Sequence, residues 1–272
     1  MPTDEEIKKM QRESYEKFVS QRKKLSENLS KIKRKIAVYS GKGGVGKTFV
    51  AVNLAVALAK AGFTVGLFDA DIDCPNASQL LGCEERVKAS EQKIVPVVSH
   101  GVKFVSMDAV QGKQDKARIW RGPILTNAIT ELLSLTEWEE LDFLIVDFPP
   151  STSDAPLTLM QLVPLDGFLL VTTPQKLSCQ DALRSGNMCL EMNQKILGVV
   201  ENMSGGAFGS GGAKEIAQEL GTSVLATIPL SEKISSLGDD GEPAVNDEEV
   251  EKYFAPLVEK LKAAKSDSLK VL

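Results

Sequence analysis

S-G-K-G-G-V-G-K-T, from Ser40 to Thr48, follows the apolar run Lys35-Ile36-Ala37-Val38-Tyr39. It precedes Phe49 to Ala61, where Ala, Val and Leu recur at helical spacing. Strand, glycine-rich turn and helix in that order are the context a phosphate-binding loop requires. Gly41, Gly43, Gly44 and Gly46 let the backbone turn its N–H groups inward as a nest for phosphate oxygens at a helix N-terminus. Val45 and Phe49 complete the cradle on either side of Gly46, Lys47 and Thr48. Lys47 is placed to reach the β- and γ-phosphates, and the Thr48 hydroxyl to ligate Mg²⁺. With glycine at about 7% of residues, G-x4-G-K-[ST] arises by chance in only about one chain of this length in a hundred. The stretch therefore predicts nucleoside-triphosphate binding, against the alternative of an ordinary glycine-rich turn.

Lys42, directly after the first glycine, is a second lysine that an ordinary phosphate loop does not need; the alternative is a solvated loop charge. The form G-K-G-G-V-G-K-T resembles the deviant Walker A of the MinD/ParA, nitrogenase-iron-protein and arsenite-pump ATPases. That resemblance implies a homodimer closed around two ATP molecules, with Lys42 crossing the interface to the partner's nucleotide.

The 272 residues are 43% hydrophobic and 25% charged, long enough for one domain with a large core. A net charge of -5 gives no reason to expect nucleic-acid binding. No apolar run reaches the roughly 18 residues of a membrane span, and the charged beginning does not read as a secretion signal. The end, Ala263 to Leu272, has too small an apolar face for a membrane anchor. Cys74, Cys83, Cys179 and Cys189 are widely spaced, which predicts free thiols in a reducing, cytoplasmic setting.

Residues 4–34 are polar, with Tyr15, Phe18, Leu25, Leu29 and Ile32 at alternating three- and four-residue steps that Arg22 interrupts. They read as an N-terminal amphipathic helical extension (1–34) to an ATPase domain (35–272). Its seam meets the body or a partner, and Lys31 to Lys35 read as a solvated helix end. A second strand, 64–68, ends in Asp69-Ala70-Asp71, where carboxylates face the Mg²⁺ and the attacking water; two turn aspartates capping a loop are the alternative. Strands are expected at 94–98 and 102–107, joined through His100-Gly101, with His100 structural or solvated and not catalytic. Leu141 to Val146 reads as a central parallel strand, and Asp147 at its end is a Walker B aspartate holding Mg²⁺ through water. Strands at 167–172, 196–201 and 223–228 alternate with helices near 154–163, 178–193, 213–220 and 247–264. The pattern is α/β: a doubly wound, mostly parallel sheet with helices on both faces.

From Ile36 to about Val245 the chain resembles the Mrp-type P-loop ATPases, ATP-binding iron–sulfur cluster carriers within the MinD/ParA-like superfamily. The segments that carry this are D-A-D-I-D-C-P-N (69–76), W-R-G-P (120–123), L-D-F-L-I-V-D-F-P-P (141–150), T-L-M-Q-L-V-P-L-D-G (158–167), V-T-T-P-Q (171–175), L-G-V-V-E-N-M-S (197–204) and I-P-L (228–230). The resemblance implies ATP and Mg²⁺ as ligands, Asp71 as the aspartate that activates water, and Asp69 as an outer partner of the Mg²⁺. It also implies that Asn202 reads the adenine edge, that Pro229 lines the base, and that partners are iron–sulfur assembly or client proteins.

Three departures bear on function. The family follows E-N-M-S with a loop carrying C-x-x-C, from which a dimer holds a bridging [4Fe–4S] cluster. Here Ser204 runs into Gly205-Gly206-Ala207-Phe208-Gly209-Ser210-Gly211-Gly212, and the cysteine pair is absent. Cys179 and Cys189, about 15 Å apart by helical rise, cannot share one cluster. Second, D-x-P-P-G-T-G-D reads Asp147-Phe148-Pro149-Pro150-Ser151-Thr152-Ser153-Asp154, and a serine where φ must be positive costs about 1 kcal/mol or more. Third, residues 1–34 carry a helix without the cysteine cluster or accessory domain of some relatives. Three readings stand: an ATP-hydrolysing iron–sulfur carrier or assembly factor, an ATP-gated dimer switch that positions a protein partner without a cluster, and a non-hydrolysing nucleotide-binding scaffold. Intact Lys42, Lys47, Asp71 and Asp147 argue against the third.

Overall fold

Alternation along one strand sets the architecture. In β1 (Ile32–Tyr39), Ile36 and Val38 pack into one hydrophobic core while Ala37 and Tyr39 pack into another. Successive side chains of a strand point to opposite faces, so β1 is stable only when covered on both sides. The computed structural model, which describes residues 4–71, 75–83, 87–90, 93–106, 122–152 and 154–263, shows it covered in that way. Cys74, Trp120, Arg121, Ser153 and residues 264–272 lie outside the described residues.

β1 pairs in parallel with β7 (Leu141–Asp147) and β8 (Gly167–Thr172). The sheet continues through β2 (Val65–Asp69) and β6 (Val102–Ser106) on one side, and β9 (Ile196–Ser204) and β10 (Val224–Pro229) on the other. Among the described residues the order is β10-β9-β8-β1-β7-β2-β6-β5, and β5 (Val97–Ser99) alone is antiparallel to its neighbour. A two-stranded ribbon pairs β3 (Lys88–Ala89) with β4 (Ile94–Val95).

One core lies between the sheet and α1 (Asp4–Ser30), α4 (Gly122–Leu135), α5 (Asp154–Leu162), α6 (Lys176–Glu191) and α7 (Gly212–Glu219). The other lies under α2 (Lys47–Lys60), α3 (Ala77–Leu80) and α9 (Glu248–Ala263), with α8 (Glu232–Asp239) at its edge. This is the doubly wound α/β sheet expected from the sequence. In the first core Tyr39, Phe148 and Phe168 meet edge to face, with centroids 5.3–6.1 Å apart.

Two expected elements differ. The N-terminal helix stops at Ser30, not residue 34, and Ile32 already pairs with Leu141. The basic run is therefore not a helix end. Lys33 reaches Asp142 at 2.8 Å, and Lys35 lies 3.8 Å from Asp166, so acidic partners at the lower edge of the sheet accept it as strand. α1 itself packs on the body through buried Leu25 and Leu29, and Asn28 donates to the carbonyls of Leu133 (2.8 Å) and Thr136 (2.6 Å) at the end of α4. The expected strand 94–98 is divided at Pro96, which has no N–H for a ladder. His100 sits in the turn between β5 and β6, its Nδ1 3.3 Å from the Asn246 amide.

Candidate functional site

Parallel strands deliver their C-terminal ends to one edge of the sheet, where ligands of such sheets bind. At that edge β1 runs into the glycine-rich loop, and Gly46, at φ 82°, caps α2. Gly44 is also at positive φ, 80°. Ser40 Oγ donates to the Lys42 carbonyl at 2.9 Å and folds the loop back on itself. A Cβ on Gly41 would stand 2.1 Å from the Asp181 carbonyl oxygen of α6, so close packing alone demands glycine there. Gly43 has open space around it, and the Phe49 ring turns away into the core against Phe254, 6.2 Å between centroids.

Lys47 is buried, at 6% exposure, and its Nζ lies 2.6 Å from Asp147 Oδ1, 3.7 Å from Asp71 Oδ2 and 3.4 Å from Thr48 Oγ1. Asp147 is wholly buried, and its Oδ2 is a buried acceptor without a hydrogen-bond partner. A buried unpaired carboxylate oxygen is costly unless a cation or water meets it. It therefore fits a hydrated Mg²⁺ beside Thr48. Asp69 stands opposite Asp147 in the β2–β7 register. Its two oxygens accept from the Asp71 N–H (3.1 Å) and the Ala77 N–H (3.3 Å). Burial, then the Asp147 charge, raise its pKa. Asp69 thus shapes the loop that carries Asp71.

The structure brings Gly41, Gly43, Gly44, Val45, Gly46, Lys47, Thr48, Asp69, Asp71 and Asp147 together at one edge. Asn202 joins them by contacting the loop itself: its Nδ2 donates to the Val45 carbonyl at 2.9 Å. Pro229 ends β10, in register with Ser204. Sequence reading missed Glu201, which is 2% exposed and accepts from Ser204 Oγ (2.8 Å), Gly211 N (2.9 Å) and Ala213 N (2.9 Å). The signal was available: one carboxylate directly after the apolar run Ile196 to Val200, within the same strand.

Ser151 takes φ 81°, the left-handed region that the family's glycine fills without cost. Its N–H donates to the Ser40 carbonyl and its own carbonyl accepts from Tyr39 Oη, so the strained turn is pinned to β1 and the start of the glycine loop. Ser151→Gly is expected to be more stable than Ser151→Ala by about 1 kcal/mol, because both lack the hydroxyl and only alanine keeps the Cβ. Equal melting temperatures would contradict that conformation.

A glycine-rich nest at the N-terminus of α2, with Asp147 and Asp69 ending the next two strands on one side of it in a doubly wound sheet, defines a P-loop NTPase of the MinD/ParA type. A family model described as "ParA: NUBPL iron-transfer P-loop NTPase" matches residues 31–262, and the chain belongs to that family. An iron-sulfur cluster carrier protein of Methanocaldococcus jannaschii is 42% identical over 260 residues, 89% of this chain and 90% of that one. One from Aquifex aeolicus is 42% identical over 245 residues, covering 85% and 67%. Among solved structures, a nucleotide-binding protein from Archaeoglobus fulgidus in complex with ADP has a TM-score of 0.74 at 33% identity, covering 86% and 96% of the two chains. MinD of Pyrococcus horikoshii with Mg-ADP has a TM-score of 0.66 at 25% identity, covering 85% and 96%.

A [4Fe–4S] cluster does not fit the described cysteines. Cys189 is fully buried, and burial pushes its thiol up to about 12, away from the ligating thiolate. Burial also raises Cys179, whose Sγ faces the carbonyls of Thr173 and Pro174. Cys83 packs against the opposite core. Among the described residues no three His, Cys, Asp or Glu side chains converge as a metal site, and no helix is long and apolar enough to cross a membrane.

Proposed function

We propose that this chain binds and hydrolyses ATP as a dimeric switch in iron–sulfur cluster carriage or assembly. The observation that carries this reading is the Lys47–Asp147 pair at the α2 N-terminus, with Asp147 Oδ2 unpartnered beside it. The amides of residues 43–48 and Lys47 hold the phosphates, while Thr48 and, through water, Asp147 hold Mg²⁺. Mg²⁺ supplies charge neutralisation on the phosphate oxygens. Asp71 positions the attacking water, and Asp69 holds the Asp71 amide. Lys42 extends to the nucleotide of a second copy. Asn202 and Pro229 flank the base, Asn202 through the oxygen end of an amide whose nitrogen braces Val45. Leu177 and Leu230, 70% and 50% exposed just past the C-terminal ends of β8 and β10, support closure of two copies over this edge. The ADP and Mg-ADP complexes of the similar structures support the nucleotide, and the names of the relatives support the pathway. Titration with Mg·ATP tests the reading: one nucleotide per chain is expected, and no binding contradicts it.

One observation favours a variant of this reading, in which the switch positions a protein partner and holds no cluster. The loop 205–212 stands after Ser204 where the family's cysteine pair is implied, and the three described thiols do not converge. Anaerobic reconstitution of wild type beside Cys74→Ala is expected to leave both without iron, sulfide or absorbance near about 400 nm. A stoichiometric cluster that Cys74→Ala loses would contradict the variant and place a shared site at Cys74 of two copies.

A further inference from the structure

Two consecutive residues at the end of β9 face opposite sides of the sheet and hold two different loops. Asn202 points to the α2 side, where its amide braces the Val45 carbonyl of the phosphate loop. That fit has no slack: a Cβ on Gly46 would lie 2.1 Å from Asn202 Nδ2. Glu201 points to the other side, where Oε1 accepts from Ser204 Oγ and Gly211 N, and Oε2 accepts from Ala213 N. We infer that the end of β9 couples the phosphate loop to the glycine-rich loop 205–212, with Glu201 as the positioning residue. The inference rests on the nucleotide reading of the site and adds a regulated element to it.

The loop depends on this tether because little else packs it. Gly205, Gly206, Gly209 and Gly211 all take positive φ, and Cβ atoms added at 205, 209 or 211 would meet no described residue within 4 Å. Ala207 and Ser210 are exposed. Within the loop, Gly205 N–H donates to the Gly209 carbonyl at 2.6 Å, and at its root Leu230 N–H donates to the Ser204 carbonyl. Glu201 thus fixes both the root and the far end, at the first turn of α7. Although burial pushes its carboxyl up, the Ala213 and Gly211 amides and the Ser204 hydroxyl outweigh that and hold it below the usual range. It is an anion tied to backbone donors, a charge-assisted arrangement.

A second route joins the same two loops. The first half of α6 is wedged between them: Gly41 of the phosphate loop lies against the Asp181 carbonyl, where a Cβ would come to 2.1 Å. On its other side Gly212 lies against the Pro174 carbonyl and Cys179 Sγ, at 2.5 and 2.7 Å by the same measure. Packed contacts of this kind transmit small displacements because interiors compress little. Ordering of the phosphate loop by a nucleotide therefore reaches residues 205–212 both through β9 and across α6.

Hydrogen exchange of the full chain, with and without a non-hydrolysable ATP analogue and Mg²⁺, tests the coupling. In wild type the analogue is expected to slow amide exchange at 205–213 by about tenfold. Glu201→Gln is expected to bind the analogue with affinity within about threefold of wild type, while its loop exchange no longer responds. A merely structural role would raise exchange in both states and leave the response intact. Ser204→Ala, which removes one of three donors to Glu201, is expected to reduce the response by an intermediate amount. Binding without any change at 205–213, or an undiminished response in both variants, overturns the inference alone. No binding by wild type overturns the nucleotide reading, and the inference with it.

Discussion

Lys47→Ala is expected to abolish Mg·ATP binding and to destabilise the free protein by about 3–5 kcal/mol, the cost of leaving a buried charge without its partner. The lysine does two things in this structure. It is the proposed phosphate ligand, and its Nζ is also the cation 2.6 Å from a carboxylate with no solvent exposure. Asp69 lies alongside Asp147 in register, and Asp71 lies 3.7 Å from the same nitrogen, so two carboxylates share one ammonium. Removing it leaves Asp147 with neither oxygen paired. Asp147→Asn removes the charge at fault, so in that background the stability cost of Lys47→Ala should fall by more than half. Thermal unfolding of the four proteins, beside titration calorimetry, checks both effects. A Lys47→Ala protein that melts like wild type would contradict the ion pair, and one that binds Mg·ATP would contradict the phosphate role.

Asp71→Ala is expected to spare nucleotide binding and to lower turnover by about a hundredfold or more, the range for losing a positioned proton acceptor. Asp71 sits farther from Lys47 than Asp147 does, so its removal leaves the lysine held at 2.6 Å. Asp69 remains to hold the local backbone through the residue-71 and Ala77 amides. The phosphate nest, Thr48 and Asp147 are all retained. Phosphate release at saturating Mg·ATP, with affinity measured separately, distinguishes the two properties. Retained turnover would remove Asp71 from the role of orienting water.

What was legible in the sequence was local chemistry. The phosphate loop is specified by spacing within nine residues, and its helix and strand by apolar runs on either side, so Gly44, Gly46, Lys47 and Thr48 could be placed without knowing the fold. Asp69, Asp71 and Asp147 were legible because they follow apolar runs, those of β2 and of β7, the latter pairing directly with β1. What escaped depended on partners distant in the chain. Lys33, Arg34 and Lys35 resemble a helix end until Asp142 and Asp166 are brought beneath them. Asn28 reads as a polar helix residue until it meets the carbonyls at the end of α4. Glu201 is one letter in E-N-M-S, and its work appears only when the chain turns back at Gly211. The Gly-to-Ser departure at 151 could be flagged in the sequence, but its sign needed the observed φ of 81°.

The measurement that reaches the central claim most directly is sedimentation of Asp71→Ala with Mg·ATP and, separately, with ADP. Binding without turnover holds the ATP-bound state, so a species of twice the single-chain mass is expected with ATP and absent with ADP. The same mass in both, with ATP shown to be bound, would contradict a dimer closed by the nucleotide.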